Sequence, residues 1–463
     1  MNSQKRKADV VVIGAGPGGI SAAVGAAREG AKVILVERMG FLGGQLSSGL
    51  PFLAFMDMHK RRIVGGLAEN MVNRLKEKEG TNGHTYCPFH LSVTNMNQFY
   101  TRIICFEMAQ EYGIELLLHC ELSNVRVENG RLGSVTVSGK GTNIELEAKV
   151  FIDATGDGDL GYMAGAEFEK GQEGTGVLQP PTLMFNLSGV NFDEFTAYLE
   201  EHPEELPYEL GLPHIRPGYD GQYFKNNPGH VFFGLNGLIA RLRKEGKCPI
   251  DRDTVIYIRQ PIPNTVAVNT IRVLDIDGSD IDDLTRAEME AHLQIIPLVN
   301  MLKEHVPGFQ NSFISSVNSG IGVRESRRIM GIKKLTAEDA IAGHIPDDSV
   351  ALFSYFIDIH HGKGEGTYTE SIMEPYGIPY GCTVSKDIEG LMMAGRCISV
   401  DAVAFGSSRI MTVLMAVGEA TGVGAALAVK QNISPKDVDT DQVREIIKGY
   451  GAILSVEDAK EPE

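Results

Sequence analysis

Apolar residues open the chain in short unbroken runs rather than in alternation. Ala8-Asp9-Val10-Val11-Val12-Ile13 is one run and Lys32-Val33-Ile34-Leu35-Val36-Glu37 is another. Such runs suit strands of a parallel sheet covered on both faces. Between them Gly14-Ala15-Gly16-Pro17-Gly18-Gly19 reads as a turn and 20–29 as a small-residue helix stopped by Gly30, so residues 8–37 form a βαβ unit. Helices are predicted over 67–78 and 96–112, and a buried strand over 114–118. From 121 to 153 the period drops to two. Val125-Arg126-Val127 and Ser134-Val135-Thr136-Val137 flank the hairpin pair Asn129-Gly130, and Gly139-Lys140-Gly141 marks a second turn. A strand at 149–153 then runs into Ala154-Thr155-Gly156-Asp157-Gly158-Asp159.

Residues 166–375 read differently. Proline-rich loops occupy 203–228, strand-like pieces 254–258 and 265–269, and one long helix about 285–304. Near 388 the first pattern resumes, with a short strand in Gly390-Leu391-Met392-Met393-Ala394-Gly395 and a long small-residue helix over 410–430. The expected fold is α/β: a Rossmann-type nucleotide-binding domain with a parallel sheet and an antiparallel meander (1–165 and 376–435), an inserted α+β substrate domain (166–375), and a charged surface appendage (436–463). A chain of 463 residues is too long for one ordinary core, which agrees with such a division.

Glycine contributes 53 residues, well above the roughly 7% of average usage, as wrapping a large ligand requires. The net charge of -17 disfavours nucleic acid and acidic membranes as partners, and Lys5-Arg6-Lys7 reads as a solvated end. The six cysteines form no Cys-x-x-Cys pair, which argues against zinc, an Fe–S cluster or a redox dithiol and for reduced thiols in a cytoplasmic protein. No signal peptide is visible, and no stretch reaches the roughly 20 apolar residues of a membrane span. The nearest, 413–429, contains Glu419 and several glycines and is expected to be a buried helix.

Gly14-x-Gly16-x-x-Gly19 follows a strand and opens a helix. Gly14 permits the tight turn, Gly16 lets a pyrophosphate approach the backbone, and Gly19 allows helix and strand to pack closely. Glu37 ends the next strand near the expected spacing of about 20 residues, where a carboxylate accepts ribose hydroxyls. Ala154-Thr155-Gly156-Asp157 and Gly395-Arg396 end two further strands. Three strand ends meeting one ligand fit FAD better than an exchanging nicotinamide.

Together with Gly43-Gly44, Arg324-Glu325-Ser326-Arg327-Arg328-Ile329, Asp358-Ile359-His360, Ile378-Pro379-Tyr380, Ala394 to Ser399 and Gly406 to Met411, these stretches carry a resemblance over nearly the whole chain. The chain resembles FAD-dependent oxidoreductases of the glutathione-reductase-type flavin fold, and more narrowly the group related to fumarate-reductase flavoproteins and heterodisulfide-reductase-like subunits. The resemblance implies a flavoprotein. Gly14, Ala15, Gly16, Pro17, Gly18 and Gly19 would hold the pyrophosphate, Glu37 the ribose with Arg38 beside it, and Leu122 the adenine. Gly43, Gly44 and Gln45 would run beside the flavin. Ala154, Thr155, Gly156 and Asp157 would meet the same cofactor, Gly395 and Arg396 its ribityl-phosphate region, and Ser408, Arg409, Ile410 and Met411 the pyrimidine end. Arg396 stands where many relatives of the wider fold carry Asp. No histidine lies in 43–51, so non-covalent FAD is expected.

A helix starting near Ile410 would point its positive end at the flavin. The Arg324, Arg327 and Arg328 run has two open readings: a solvated helix face paired through Glu325, or a clamp for a substrate carboxylate. His360 and His361 end an apolar strand read over 352–359 and must face opposite ways. His360 is the preferred acid or base, with Arg327, His361 and Tyr380 as further catalytic candidates and Tyr355 and Tyr376 as wall residues. Asp157 and Asp159 fit cofactor contacts and capping better than a metal, so none is expected. The expected reaction is hydride transfer between FAD and a small organic substrate held between the domains. The alternative is an electron-transfer flavin subunit serving a separate Fe–S protein. Homo-oligomerisation is left open.

Overall fold

The computed structural model describes residues 2–207, 217–362 and 367–460. Residues 208–216 of the proline-rich stretch and 461–463 of the tail lie outside the described residues. The unbroken apolar runs form a five-stranded sheet in the order Leu391–Met393, Val150–Asp153, Val10–Ile13, Val33–Glu37, Glu115–Leu118, every pair parallel. The four strands from Leu391–Met393 to Val33–Glu37 are buried throughout. Glu115–Leu118, read as buried, has one neighbour and is mostly half-exposed.

Two helices pack against each other beside this sheet, Pro17–Arg28 and Met411–Gln431. Glycines set their distance. A Cβ on Gly418 would stand 2.4 Å from the Gly18 carbonyl oxygen, and one on Gly422 2.0 Å from that of Ala22. Met411–Gln431 is long and apolar enough to cross a membrane, yet most of it is buried inside the protein.

The meander comprises Glu121–Glu128, Arg131–Gly139 and Thr142–Glu147. Asn129 and Gly130 both take positive φ, 50° and 75°, as a two-residue I′ turn demands. The basic opening is not a free end. Asn2–Lys7 forms a strand parallel to Thr142–Glu147, and Lys5, Lys7 and Arg6 pair with Glu145, Glu147 and Glu115 at 2.8, 2.8 and 2.7 Å.

The middle of the chain builds a five-stranded antiparallel sheet, ordered Val231–Gly234, Val255–Arg259, Thr265–Val268, Phe185–Ser188, Phe313–Val317. Phe195 packs edge-on against Phe232, Tyr257 and Phe309 beneath it. The long helix is Ile281–His305, started earlier than read because the Asp280 side chain accepts from the Asp282 and Asp283 amides. The strand read over 352–359 is two strands: Ser349–Phe353 pairs with Tyr376–Pro379, and Ile357–His360 with Thr367–Glu370. The tail is not a surface appendage. Thr440–Gly449 is a helix whose Val443 and Ile447 are buried against Met411–Gln431, and Ile453 and Leu454 follow them into the core.

Candidate active site

The phosphate loop has the geometry its glycines require. Gly14 has φ +99° and donates its N–H to the Val36 carbonyl at 2.8 Å. A Cβ on Gly19 would sit 1.9 Å from the Gly14 oxygen and one on Gly18 2.6 Å from the Gly395 nitrogen, whereas a Cβ on Gly16 would meet nothing within 4 Å. Gly16 is therefore the point where the loop stands open. Buried Glu37 reaches back from the next strand: one carboxylate oxygen accepts from the Ala15 amide (2.8 Å), the other from Met39 (2.9 Å). Each oxygen keeps a lone pair for another donor. The Ala15 carbonyl in turn accepts from Gly43, which at φ +99° brings Gly44 against Gly16.

This loop borders a cavity of about 1230 Å³, above the roughly 300–1,000 Å³ of most small-molecule sites. Gly14, Gly16, Pro17, Gly18, Glu37, Arg38 and Leu122 line it around the loop, and Gly44, Gln45, Ala154, Thr155, Gly156, Asp157, Gly395 and Arg396 line it alongside. Arg409, Ile410 and Met411 line it at the start of the long helix. Ala15, Gly19 and Gly43 act one layer behind, shaping the loop. Ser408 is buried off the lining, and its hydroxyl has no hydrogen-bond partner among the described residues. Arg396 pairs with Asp157 at 2.8 Å, and Ser326 donates to the same carboxylate. Asp153 beneath them is pushed up to about 6 by burial, against hydrogen bonds from Gly161 and Thr155. A loop open only at Gly16, a carboxylate on the next strand and a cavity of this size fit a bound dinucleotide such as FAD.

Around the strand Ile357–His360 the cavity changes character. Asp358, His360, Tyr355, Arg324 and Arg409 line it. The His360 Nε2 lies 3.4 Å from an Asp358 carboxylate oxygen, and its Nδ1 lies 3.3 Å from the Thr367 hydroxyl. Arg409 donates to the Asp358 carbonyl at 3.1 Å and to its carboxylate at 3.0 Å. Burial pushes His360 down to about 4, with Asp358 opposing it, so the imidazole is neutral at neutral pH. Burial opposes charge on Asp358 too, but His360, Arg409 and Arg324 outweigh it and hold the carboxyl well below its usual range.

The remaining candidates separate. His361 follows the last residue of the strand Ile357–His360 and lies off the cavity lining. The arginine run is not a solvated helix face: Arg327–Ile329 is a short strand and all three arginines are buried. Arg328 is locked by Glu325 (2.6 Å) and the carbonyls of Gly171 and Val400. Arg327 touches the lining but spends its donors on Asp159 (2.9 Å) and the Asp157 carbonyl (3.1 Å), with Tyr162 under its guanidinium. Tyr380 is away from the site, buried against Gly424 with its hydroxyl on the Pro435 carbonyl. Tyr376 bonds Ser407 behind the wall. The sequence reading missed His90, Arg252, Arg272 and Asn269, all on the lining. His90 follows Thr85–Cys87 and stacks on Tyr355. Arg252 stands between two aspartates, a pattern that reads as surface.

A family model described as FAD dependent oxidoreductase matches residues 9–447. A thiamine thiazole synthase of Aeropyrum pernix is 27% identical over 164 residues, 32% of this chain and 55% of that protein, so the chain spans about half the length of this relative. Among solved structures, a p-nitrophenol 4-monooxygenase of Pseudomonas putida has TM-score 0.50 at 11% identity, over 99% of this chain and 89% of that one. A geranylgeranyl bacteriochlorophyll reductase-like protein of Thermoplasma acidophilum has TM-score 0.48 at 13% identity, over 98% and 95%. The likeness to the monooxygenase is one of fold alone. The family match reaches from the first strand of the parallel sheet to the last helix and takes in the open loop at Gly16: the chain belongs to the FAD dependent oxidoreductase family and is an enzyme with FAD as its cofactor.

Proposed function

We propose that this flavoenzyme transfers a hydride between non-covalently held FAD and a small organic substrate lodged beside Asp358, His360 and Arg409, with His360 moving the accompanying proton. One observation carries this reading. The cavity that borders the phosphate loop also takes in a mostly enclosed carboxylate–imidazole pair, 17% and 13% exposed, in a space larger than most single-ligand sites. FAD supplies the hydride chemistry when bound. In this reading Gly14 to Gly19, Glu37, Arg38 and Leu122 hold its adenosine diphosphate half. Gly44, Gln45, Ala154 to Asp157, Gly395, Arg396 and Arg409 to Met411 meet the other, with Gly43 and Ser408 behind them. The first turn of Met411–Gln431 at the lining places the positive end of a helix dipole there, which favours negative charge beside it. Asp358 orients the neutral His360 ring, which is then ready to accept a proton from the substrate or return one. Phe89, Tyr355 and Phe356 wall the same space and limit water.

The test is an anaerobic screen of small organic substrates against the FAD-loaded protein, followed by the visible absorbance of the flavin. His360→Gln should lower the chemical step by about 10²–10⁴-fold with FAD content unchanged. An equal rate in that variant removes His360 from the proton step, and a colourless protein that refuses added FAD removes the whole reading.

A further inference from the structure

Four arginines line the cavity around Asp358 and His360: Arg252, Arg272, Arg324 and Arg409. They come from separate stretches of chain, and Arg252, Arg272 and Arg324 are buried. Their protein partners fall short of their donors. Among the described residues Arg252 reaches only the Thr270 carbonyl, at 3.5 Å, and Arg324 only the Pro180 carbonyl. Arg272 donates to the Asp251 carbonyl at 2.8 Å and lies 3.7 Å from that residue's largely exposed carboxylate. Arg409 pairs with Asp358, but its Nε is buried with no hydrogen-bond partner among the described residues. Burial, and then mutual repulsion, push Arg324 down to about 9 and Arg252 to about 10. Of the other carboxylates on the lining, Asp157 and Asp159 are paired with Arg396 and Arg327, Glu37 accepts from the Ala15 and Met39 amides, and Glu121 lies beside Leu122, which leaves Asp253 and Glu288. Asp253 is exposed, and half-exposed Glu288 already accepts from the Ile321 amide. Asp358, its side chain 17% exposed and already paired with Arg409, thus faces more guanidinium charge than it can balance.

Guanidiniums taken out of water without counter-charge are unfavourable unless something anionic completes them. FAD does not meet this need, since its phosphates belong at the open loop around Gly16. We infer that the substrate is a small polyanion with at least two acidic groups, carboxylate or phosphate, gripped by Arg252, Arg272 and Arg324 while its reacting carbon lies toward His360. The inference rests on the hydride-transfer reading for the position of the reacting carbon, and on the arginines alone for the charge. Arginine presents a planar fork that takes an acid oxygen pair in two parallel hydrogen bonds, so the cluster selects number and spacing of acidic groups as well as sign.

The test is equilibrium binding to the FAD-loaded protein, by calorimetry and by perturbation of the flavin spectrum. The probes are succinate, glutarate, inorganic phosphate and neutral succinamide. Either dicarboxylate or phosphate should bind, more weakly as salt rises, and succinamide should not; the stronger of the two anion types names the acidic group. Arg252→Gln and Arg324→Gln should each weaken binding by at least about tenfold, with FAD content retained. In the absence of anion, Arg252→Met should raise the unfolding midpoint by removing a buried unpaired charge, and should abolish the rise that anions give the parent protein. A merely structural Arg252 would lower the midpoint. No anion binding above succinamide, equal binding in both variants, or a lowered midpoint in Arg252→Met would each overturn the proposal. Anion binding beside a flavin that no substrate reduces or reoxidises supports it and counts against hydride transfer instead.

Discussion

Two glycines in one loop do opposite jobs, and substitution separates them. Gly16 faces open space and has an ordinary φ of -69°, so Gly16→Val should leave the FAD-free protein's unfolding midpoint unchanged. Its side chain would occupy the place proposed for the pyrophosphate, and FAD affinity, read by fluorescence quenching, should fall by at least about tenfold. Gly19→Ala drives a methyl group into the Gly14 carbonyl, and the FAD-free protein itself should lose about 1–3 kcal/mol. Equal effects of the two substitutions on the free protein would contradict this division. At His360 the prediction concerns pH. The folded value near 4 lies below the ordinary 6.5 of the unfolded chain, so the unfolded chain binds more protons between them. His360 therefore costs stability as pH falls from 6.5 toward 4, and the cost is absent above 6.5. His360→Gln should flatten the loss of denaturant stability between pH 7 and pH 5, and an unchanged slope would show that the ring is not held neutral.

Among elements, the contact between Pro17–Arg28 and Met411–Gln431 is the most demanding. Gly422→Ala would place a methyl group 2.0 Å from the Ala22 oxygen, which is rigid backbone, so the helices must part. A loss of about 1–3 kcal/mol is expected, read as a lower denaturation midpoint. The one acid in the long helix is held in place. Glu419 accepts from Arg28 (2.7 Å) and from the Leu67 amide (2.8 Å) near the start of Gly66–Glu77, while burial pushes it up to about 7. Glu419→Ala strands Arg28 and that amide together and should cost about 3–5 kcal/mol, whereas Glu419→Gln keeps an acceptor for the amide and should cost less. This pairing explains why a charge in 413–429 was a sound sign of a buried protein helix. Elements with local signals were legible in the sequence: the apolar runs, the Asn129-Gly130 turn, the glycine stops. Asn2–Lys7 was not, since a strand held by Lys5–Glu145 and Lys7–Glu147 pairs has no apolar alternation to reveal it. The break between Phe353 and Ile357 was also hidden, because no glycine or proline marks it and only the different partners of the two strands separate them.

For the whole molecule, the cavity is where legibility divides. The phosphate-loop side, proposed for FAD, is written in spacing: Gly14-x-Gly16-x-x-Gly19 and Glu37 lie within one βαβ unit, so a local pattern carries a local site. The side proposed for the substrate is assembled from residues far apart in the chain, Arg252, Arg324, Asp358 and Arg409, and no local pattern sets an arginine between two aspartates apart from surface charge. The same geometry ties cofactor to stability. Val33–Glu37, the meander at Leu122, the Ala154 loop, Gly395 and the long helix all border one cavity, so a ligand spanning it contacts segments from both ends of the chain and stabilises them together. FAD at about a hundredfold excess over its dissociation constant should add about 2.7 kcal/mol by mass action. On the placement proposed above, FMN lacks the adenosine half assigned to Glu37 and Leu122, and NAD lacks the ring assigned to Gln45 and Met411. Thermal unfolding with each ligand at equal concentration should therefore rank FAD well above both. If FMN matched FAD, the adenosine end at Glu37 would contribute nothing to binding, and the open loop at Gly16 would have to serve some other phosphate.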